Sequence, residues 1–324
     1  MILEKKCGYV SLLGRPNAGK STLMNACVGQ KVAIVSQKPQ TTRNKIMGIA
    51  LHENSQILFL DTPGIHKVNR SLEMNRKMNK LAWSVLSDSD VVCYLVDVAV
   101  SRLHEEDTLW ISEILKNYSG KVLIVATKSD KLKKFEIEKN FKDISNEFIK
   151  IKNSLKEKNE LNAKLISEEI FLHSSKVPNS VKQLKTLVAV ELPLSPWLFP
   201  EDELTDKPQK FICSELVREQ LFRQLGQELP YKMAVKIDKI DLQEKIHHIL
   251  ATIIVERESQ KSIVLGKKGE RIQSIGKAAR ESLENHFQKK VYLELFVKVQ
   301  DGWTHESKLL QEYIGFENLN EDEK

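Results

Sequence analysis

Cysteine is scarce in this chain: four residues in 324, at positions 7, 27, 93 and 213, far apart and with no C-x-x-C pair. That spacing excludes a disulfide framework and a thiolate metal site. The four read as free thiols in a reducing compartment, mostly small core residues. The eight histidines are scattered, and none has a carboxylate or cysteine at zinc-ligand spacing. No stretch is apolar enough to span a bilayer; the most apolar strand, Val91 to Val96, is ended by Asp97. Glu4, Lys5 and Lys6 stand where a signal peptide would need an apolar core. The expectation is a cytoplasmic protein.

What is present is enough for two domains. The chain's 324 residues are about two lengths of a typical domain, roughly 150 residues each, and a hydrophobic share of 41% builds ordinary cores. A net charge of +6 suits an RNA partner without requiring one.

The octet Gly14-Arg15-Pro16-Asn17-Ala18-Gly19-Lys20-Ser21, followed by Thr22, spells G-x-x-x-x-G-K-S between an apolar strand (residues 9–13) and a run of good helix formers. Such a loop is a phosphate cradle. Its backbone N–H groups and the helix N-terminus point at anionic oxygens, Lys20 reaches the outer phosphates, and the Ser21 hydroxyl ligates Mg²⁺. Asp61-Thr62-Pro63-Gly64 follows the strand at 56–60. A carboxylate there can hold Mg²⁺ through water, and Gly64 lets its N–H approach a γ-phosphate. Thr127-Lys128-Ser129-Asp130 follows the strand at 121–126. Asp130 can accept two hydrogen bonds from guanine that adenine does not offer, so the wrong base leaves a buried acceptor unpaired. In this order, each after its own strand, the three motifs predict a GTPase. The expected fold class is α/β: a P-loop GTPase domain with a mostly parallel sheet flanked by helices, strands near 9–13, 46–52, 56–60, 91–96, 121–126 and 169–173. Residues 69–86 carry a helical pattern and read as the second switch helix, with Trp83 as core. The Lys-, Glu- and Asn-rich stretch between Asp130 and Ser174 reads as one or two solvated helices.

Pro193, Pro196, Pro200 and Pro208 allow no helix across 191–210 and mark a boundary. The expected division is residues 1–192, a linker at 193–210, a smaller α+β domain at 211–316 and an acidic tail at 317–324. A helix pattern at 211–225, strands at 233–240 and 249–256, a pair of helices with Gly266-Lys267-Lys268-Gly269 between them, and a strand at 291–299 follow: α-β-β-α-α-β, the order of a type II KH domain. Two glycines let the loop pass close to a sugar–phosphate backbone, and two lysines add charge. Ile263 and Arg271 stand beside it, and Ile263, Val264, Leu265 and Ile272 are expected to flank a groove for unstacked bases.

On these residues the chain resembles the Era family of bacterial ribosome-assembly GTPases, from about Lys6 to Phe316. The resemblance makes Pro39-Gln40-Thr41-Thr42-Arg43 the first switch, with Thr42 capping the Mg²⁺ site and joining Lys20 and Gly64 in catalysis. It makes Asn17 a ligand of a potassium ion. It aligns Ser174-Ser175 with a Ser-Ala pair whose backbone N–H meets the guanine O6. Ile65 stands where Ras-like proteins carry a water-orienting glutamine, so catalysis is expected from cations and backbone groups. Two departures bear on function. Thr127 replaces the family's asparagine and is expected to lose part of that amide's contacts. Lys268 replaces a glycine, at some cost in backbone freedom.

The resemblance implies GTP or GDP with Mg²⁺ as ligands and the 3′ end of 16S ribosomal RNA and the 30S subunit as partners. It also implies peripheral contact with the inner membrane; no obligate oligomer is expected. Two other readings stay open: a nucleotide-gated RNA-binding protein with incidental hydrolysis, and a GTPase of tRNA modification. The latter needs a catalytic cysteine or cofactor site, and none is visible.

Overall fold

The computed structural model describes residues 4–36, 46–61, 86–226 and 229–314. These residues form two compact units. The first takes 4–33, 46–61 and 86–206; the second takes 34–36, 207–226 and 229–314.

In the first unit, β1 (Lys6–Gly14) lies between β3 (Ser55–Asp61) and β4 (Val91–Asp97), parallel to both. β2 (Ile46–His52) joins β3 antiparallel at the edge. β5 (Lys121–Thr127) follows β4, and β6 (Lys164–Leu165) and β7 (Phe171–Leu172) both pair with β5 in parallel. β4 and β5 are buried almost end to end, which is why they read as continuous apolar runs. Because β1, β3, β4 and β5 all run the same way, their C-terminal residues Gly14, Asp61, Asp97 and Thr127 come out at one end of the sheet, where open α/β sheets bind ligands. The sheet is flanked by α1 (Lys20–Val28), α2 (Glu105–Asn117), α3 (Lys134–Glu157) and α4 (Pro178–Glu191). The charged stretch after Asp130 is thus a single 24-residue helix. It buries Ile144, Phe148 and Leu155, with Lys152 paired to Glu168 at 2.7 Å.

The proline-rich segment, expected as a linker, is tied to this unit as far as Asp206. Leu194 bridges to Lys6 and Thr205 to Gly48, both antiparallel. The Gln56 side chain, buried on β3, accepts from the Leu198 and Phe199 N–H groups (2.9 and 3.1 Å) and donates to the Phe199 carbonyl (2.8 Å). Trp197 and Phe199 pack on Cys7, Met47, Ile49, Leu58 and Leu60. Proline bars a helix here but not an edge contact, and the segment covers the exposed side of β2.

The second unit runs α5 (Gln209–Gln224), β8 (Met233–Leu242), β9 (Ile246–Val255), α6 (Glu258–Leu265), α7 (Glu270–Phe287), β10 (Lys290–Val299) and α8 (Ser307–Ile314). Its sheet has the order β10-β9-β8, with β10 parallel and β8 antiparallel to β9. Alternate β9 residues (His247, Ile249, Ala251, Ile253) are buried, and Ile249, Ala251 and Ile253 share a core with Leu216, Val217 and Leu221 of α5 and Ile275, Ala279 and Leu283 of α7. A second cluster of Ala234, Ile254 and the fully buried Trp303 is covered by Leu309 and Tyr313 of α8. The order helix-strand-strand-helix-helix-strand is the one expected of a type II KH domain. The imperfect apolar stripe of α5 has a physical cause: Ile212 to Phe222 is buried except at Ser214, and its charges are paired inside, with Arg218 bidentate on Glu215 (2.6 and 2.7 Å). The expected switch helix at 69–86 (its last residue apart) and the acidic tail lie outside the described residues. No described helix is long and apolar enough to cross a membrane.

Candidate nucleotide and nucleic-acid sites

The loop from Gly14 to Lys20 leaves the C-terminal end of β1 and turns directly into α1. Its shape needs its first glycine: Gly14 has φ +140°, and a Cβ there would lie 2.5 Å from the Leu95 carbonyl oxygen. Ala18 is buried, Asn17 is exposed at φ +62°, and Gly19 caps α1 in the left-handed region. Asparagine is among the few residues that tolerate that conformation. Lys20 is buried and arcs back over the loop, donating to the Gly14 and Arg15 carbonyls at 3.0 Å each. Burial pulls its pKa down to about 8, against the opposing pull of Asp61 and Asp107. Arg15 is anchored on Glu106 at the start of α2 (3.0 Å), and Pro16 and the exposed Thr22 flank the cradle on either side.

Ser21 and Asp61 meet: the Ser21 hydroxyl donates to Asp61 Oδ2 at 2.5 Å, with Asp61 fully buried at the end of β3. A hydroxyl and a carboxylate beside a phosphate cradle form the sparse set of hard oxygen donors that suits Mg²⁺, which keeps waters and takes phosphate oxygens for the rest. No cluster of three or more His, Cys, Asp or Glu side chains among the described residues could hold a metal by itself. Thr42, Thr62, Pro63, Gly64 and Ile65 lie outside the described residues.

The loop at residues 127–130 is wired to the phosphate loop. Thr127 is buried at the end of β5; its hydroxyl donates to the Ala18 carbonyl at 2.6 Å, with the Val96 carbonyl also 3.0 Å away. Thr127 thus keeps a contact with the phosphate loop, one of the two that an amide could make there. A β-branched hydroxyl close to the backbone spans β5, β4 and the cradle. Lys128, at φ +63°, sets its ammonium on Asp97 at 2.5 Å. Asp130 accepts from Lys176 (2.8 Å) and from the Ser174 hydroxyl (3.0 Å), and the Lys176 ammonium holds its carboxyl below the ordinary carboxylate range. Ser129 donates to the His173 carbonyl at 3.2 Å.

His173 joins this network without having been singled out in the sequence. It is buried, with Nδ1 3.1 Å from the Ser180 hydroxyl and Nε2 3.1 Å from the Ser175 hydroxyl, and burial lowers its pKa to about 4. It is a neutral brace between the Ser174-Ser175 turn and α4. The signal was faint: one histidine between a short strand and two serines.

In the second unit, Gly266 and Gly269 have φ +71° and +81°, and Lys268 between them has φ +51°. The third loop position thus does sit in the region that glycine enters freely, and lysine there carries strain of about 1 kcal/mol. A Cβ on Gly266 would stand 2.6 Å from Arg271 Cβ. Arg271 donates to the Ile263 carbonyl at 2.9 Å, closing the last turn of α6. Lys267, Lys268 and Arg271 are exposed, and the Ile263 side chain is 44% exposed. Val264, expected on the groove, is instead fully buried in the core: one step along the helix turns it about 100° from the exposed Ile263, toward the sheet. Leu265 and Ile272 are half-buried, and Ile272 packs on the same core.

Comparison with known proteins agrees with both halves. Residues 9–128 match the family described as 50S ribosome-binding GTPase, and residues 228–304 match the KH domain. GTPase Era of Azotobacter vinelandii is 43% identical over 306 residues, covering 94% of this chain and 95% of the relative. GTPase Era of Pseudomonas putida is 40% identical over 314 residues, covering 97% and 98%. Among solved structures, Era in complex with MgGDPNP and nucleotides 1506–1542 of 16S ribosomal RNA superposes with a TM-score of 0.79 at 34% identity, covering 95% of this chain and 98% of that one. A single-residue variant of Aquifex aeolicus Era bound to GDP·AlF₄⁻ gives the same values. With relatives this similar over nearly their whole length, and with the loops folded as described, the chain belongs to the Era family of P-loop GTPases.

Proposed function

We propose that this protein is a GTP-hydrolysing switch that binds the 3′ end of 16S ribosomal RNA during maturation of the 30S subunit in the cytoplasm. The observation that carries this reading is the joining of Thr127 to the Ala18 carbonyl. It ties the loop that reads the base to the loop that cradles phosphates, on a chain that also folds a KH unit. The solved relative that holds both MgGDPNP and the 16S fragment supports it.

In this reading the backbone from Gly14 to Thr22 binds the phosphates, and Lys20 neutralises charge on the outer ones. Ser21 and, through water, Asp61 hold Mg²⁺, with Thr42 as the switch ligand. Mg²⁺ would supply charge stabilisation at the transferred phosphoryl group. Gly64 offers its N–H to the γ-phosphate, Asp130 accepts from guanine N1–H and N2–H₂, and the Ser175 N–H meets O6. Thr62, Pro63, Lys128 and Ser129 shape the two loops. Asn17 offers an amide oxygen to potassium. The exposed Lys267, Lys268, Ile263 and Arg271 around Gly266 and Gly269 take the RNA.

The test is GTP turnover by the full chain with and without an RNA ending in the 16S 3′ sequence, in potassium and in sodium. Turnover that rises with the RNA and with potassium is expected. Equal turnover with and without RNA would leave hydrolysis incidental and overturn the coupling; equal rates in the two salts would remove potassium.

A further inference from the structure

We propose that the groove between α1 and α4 of the first unit, which borders the Ser174-Ser175 turn at one end, binds the sugar–phosphate backbone of single-stranded RNA as a surface separate from the Gly266–Gly269 loop. This rests on the reading that the protein works on RNA.

The groove is an open depression of about 720 Å³. Pro178, Val181, Lys182 and Lys185 follow one another at helical spacing along α4 and form one wall; the last turn of α1 forms the other. Four lysines line it (Lys31, Lys176, Lys182, Lys185), together with His52, and no aspartate or glutamate does. Lys176 is held by the Asp130 carboxylate at 2.8 Å, so the charge of the concavity rests on Lys31, Lys182 and Lys185. On a chain nearly balanced at 50 Lys and Arg against 44 Asp and Glu, three ammonium groups on one wall-to-wall surface are a local concentration of positive charge. Part of it is held in place: Lys185 donates to the Leu51 carbonyl at 3.3 Å, and His52 Nε2 lies 2.8 Å from the Thr186 hydroxyl. Lys182 stands one turn before Lys185, in solvent.

The chemistry that fits is a flexible polyanion with an uncharged face. Phosphates meet the lysines, while Val181, Pro178 and Ala26 offer an apolar floor to sugar or base. A single strand can unstack and turn its sugars and bases toward this floor, which the stacked bases of an A-form duplex do not do. A planar lipid surface would meet the rim lysines but not the floor.

The test uses the full chain and a fluorescent single-stranded RNA, with affinity measured across a salt series. Lys182→Gln/Lys185→Gln keeps good helix formers on α4 and removes two charges. Its slope of log affinity against log salt is expected to fall by about 1.4, close to 0.7 for each lost phosphate contact on a single strand. Affinity for GTP should stay as in wild type, and Lys182→Arg/Lys185→Arg should restore the slope. If loss of the Leu51 contact lowers the melting temperature, Lys31→Gln/Lys182→Gln carries the same expectation.

An unaltered slope and affinity in the folded groove variant, while Lys267→Asp/Lys268→Asp weakens binding, would overturn the groove and leave the KH reading standing. The reverse pattern would support the groove and overturn the role given to the Gly266–Gly269 loop. Binding to phosphatidylglycerol vesicles that falls in the groove variant while RNA binding holds would overturn RNA in favour of a membrane.

Discussion

The two glycine loops of this protein use the same idea with opposite degrees of support. Both turn the backbone with a glycine at positive φ, both lead into a helix, and both carry lysine. In the first loop Lys20 is buried, Ser21 is bonded to Asp61, and Thr127 reaches the Ala18 carbonyl from a separate strand. In the second, Lys267 and Lys268 are exposed, and Arg271, through the Ile263 carbonyl, braces the turn from the side. The first is built for one ligand in one geometry. The second presents charge that a flexible chain can meet in several ways, and it should respond to salt in proportion.

The contrast can be broken most severely at the base. Asp130→Asn should reverse the preference from guanine to xanthine nucleotides by on the order of a thousandfold, because a site built around specific hydrogen bonds rejects a ligand that cannot complete them. Competition of GTP and XTP for labelled nucleotide measures it, and wild-type protein that also bound ATP would sink the assignment. In the second loop, Lys267→Asp/Lys268→Asp should lower single-stranded RNA affinity by on the order of tenfold to a hundredfold at low salt and flatten the salt slope. GTP affinity should not move. RNA binding that kept its strength and slope would make the loop a mere turn.

The buried lysine sets a pH dependence for the first loop. Lys20 has a pKa of about 8 instead of its ordinary 10.5, and bound phosphates favour its charged form and raise that value again. Binding above pH 8 therefore takes up a proton, and GTP affinity should fall by about tenfold from pH 7 to pH 9. Calorimetry in buffers of different ionisation enthalpy reads the proton directly; no uptake at pH 9 would contradict the buried lysine. The smallest effect is Lys268→Gly. It relieves a side chain at φ +51° but also frees the unfolded chain, so the second unit should gain only roughly 0.5 kcal/mol, seen as a slightly higher melting temperature, while RNA binding weakens.

What was legible in the sequence was local. The G-x-x-x-x-G-K-S octet and the Asp61 and Asp130 motifs each lie within a few residues of chain, and the α-β-β-α-α-β order is a succession of neighbouring elements, each with its own periodicity. Other features depended on distant backbone. The partner of the Thr127 hydroxyl is a carbonyl 109 residues away, and no side-chain pattern announces a carbonyl. The prolines at 193–200 correctly excluded a helix, but the pairing of Leu194 with Lys6 and of Gln56 with Leu198 and Phe199 needed the sheet edge to be in place. Val264 and Ile263 are adjacent and equally apolar. Only the packed core decides which of them faces inward.

The Thr127 hydroxyl also bears on the entropy of binding. A phosphate loop free to sample many backbone states must surrender that freedom when a nucleotide arrives, and the loss is subtracted from the affinity. With Ala18 held from β5 by a 2.6 Å hydrogen bond, part of that ordering is completed when the domain folds. The cradle then meets its ligand already restricted, and the sheet that carries Asp130 shares in holding it there.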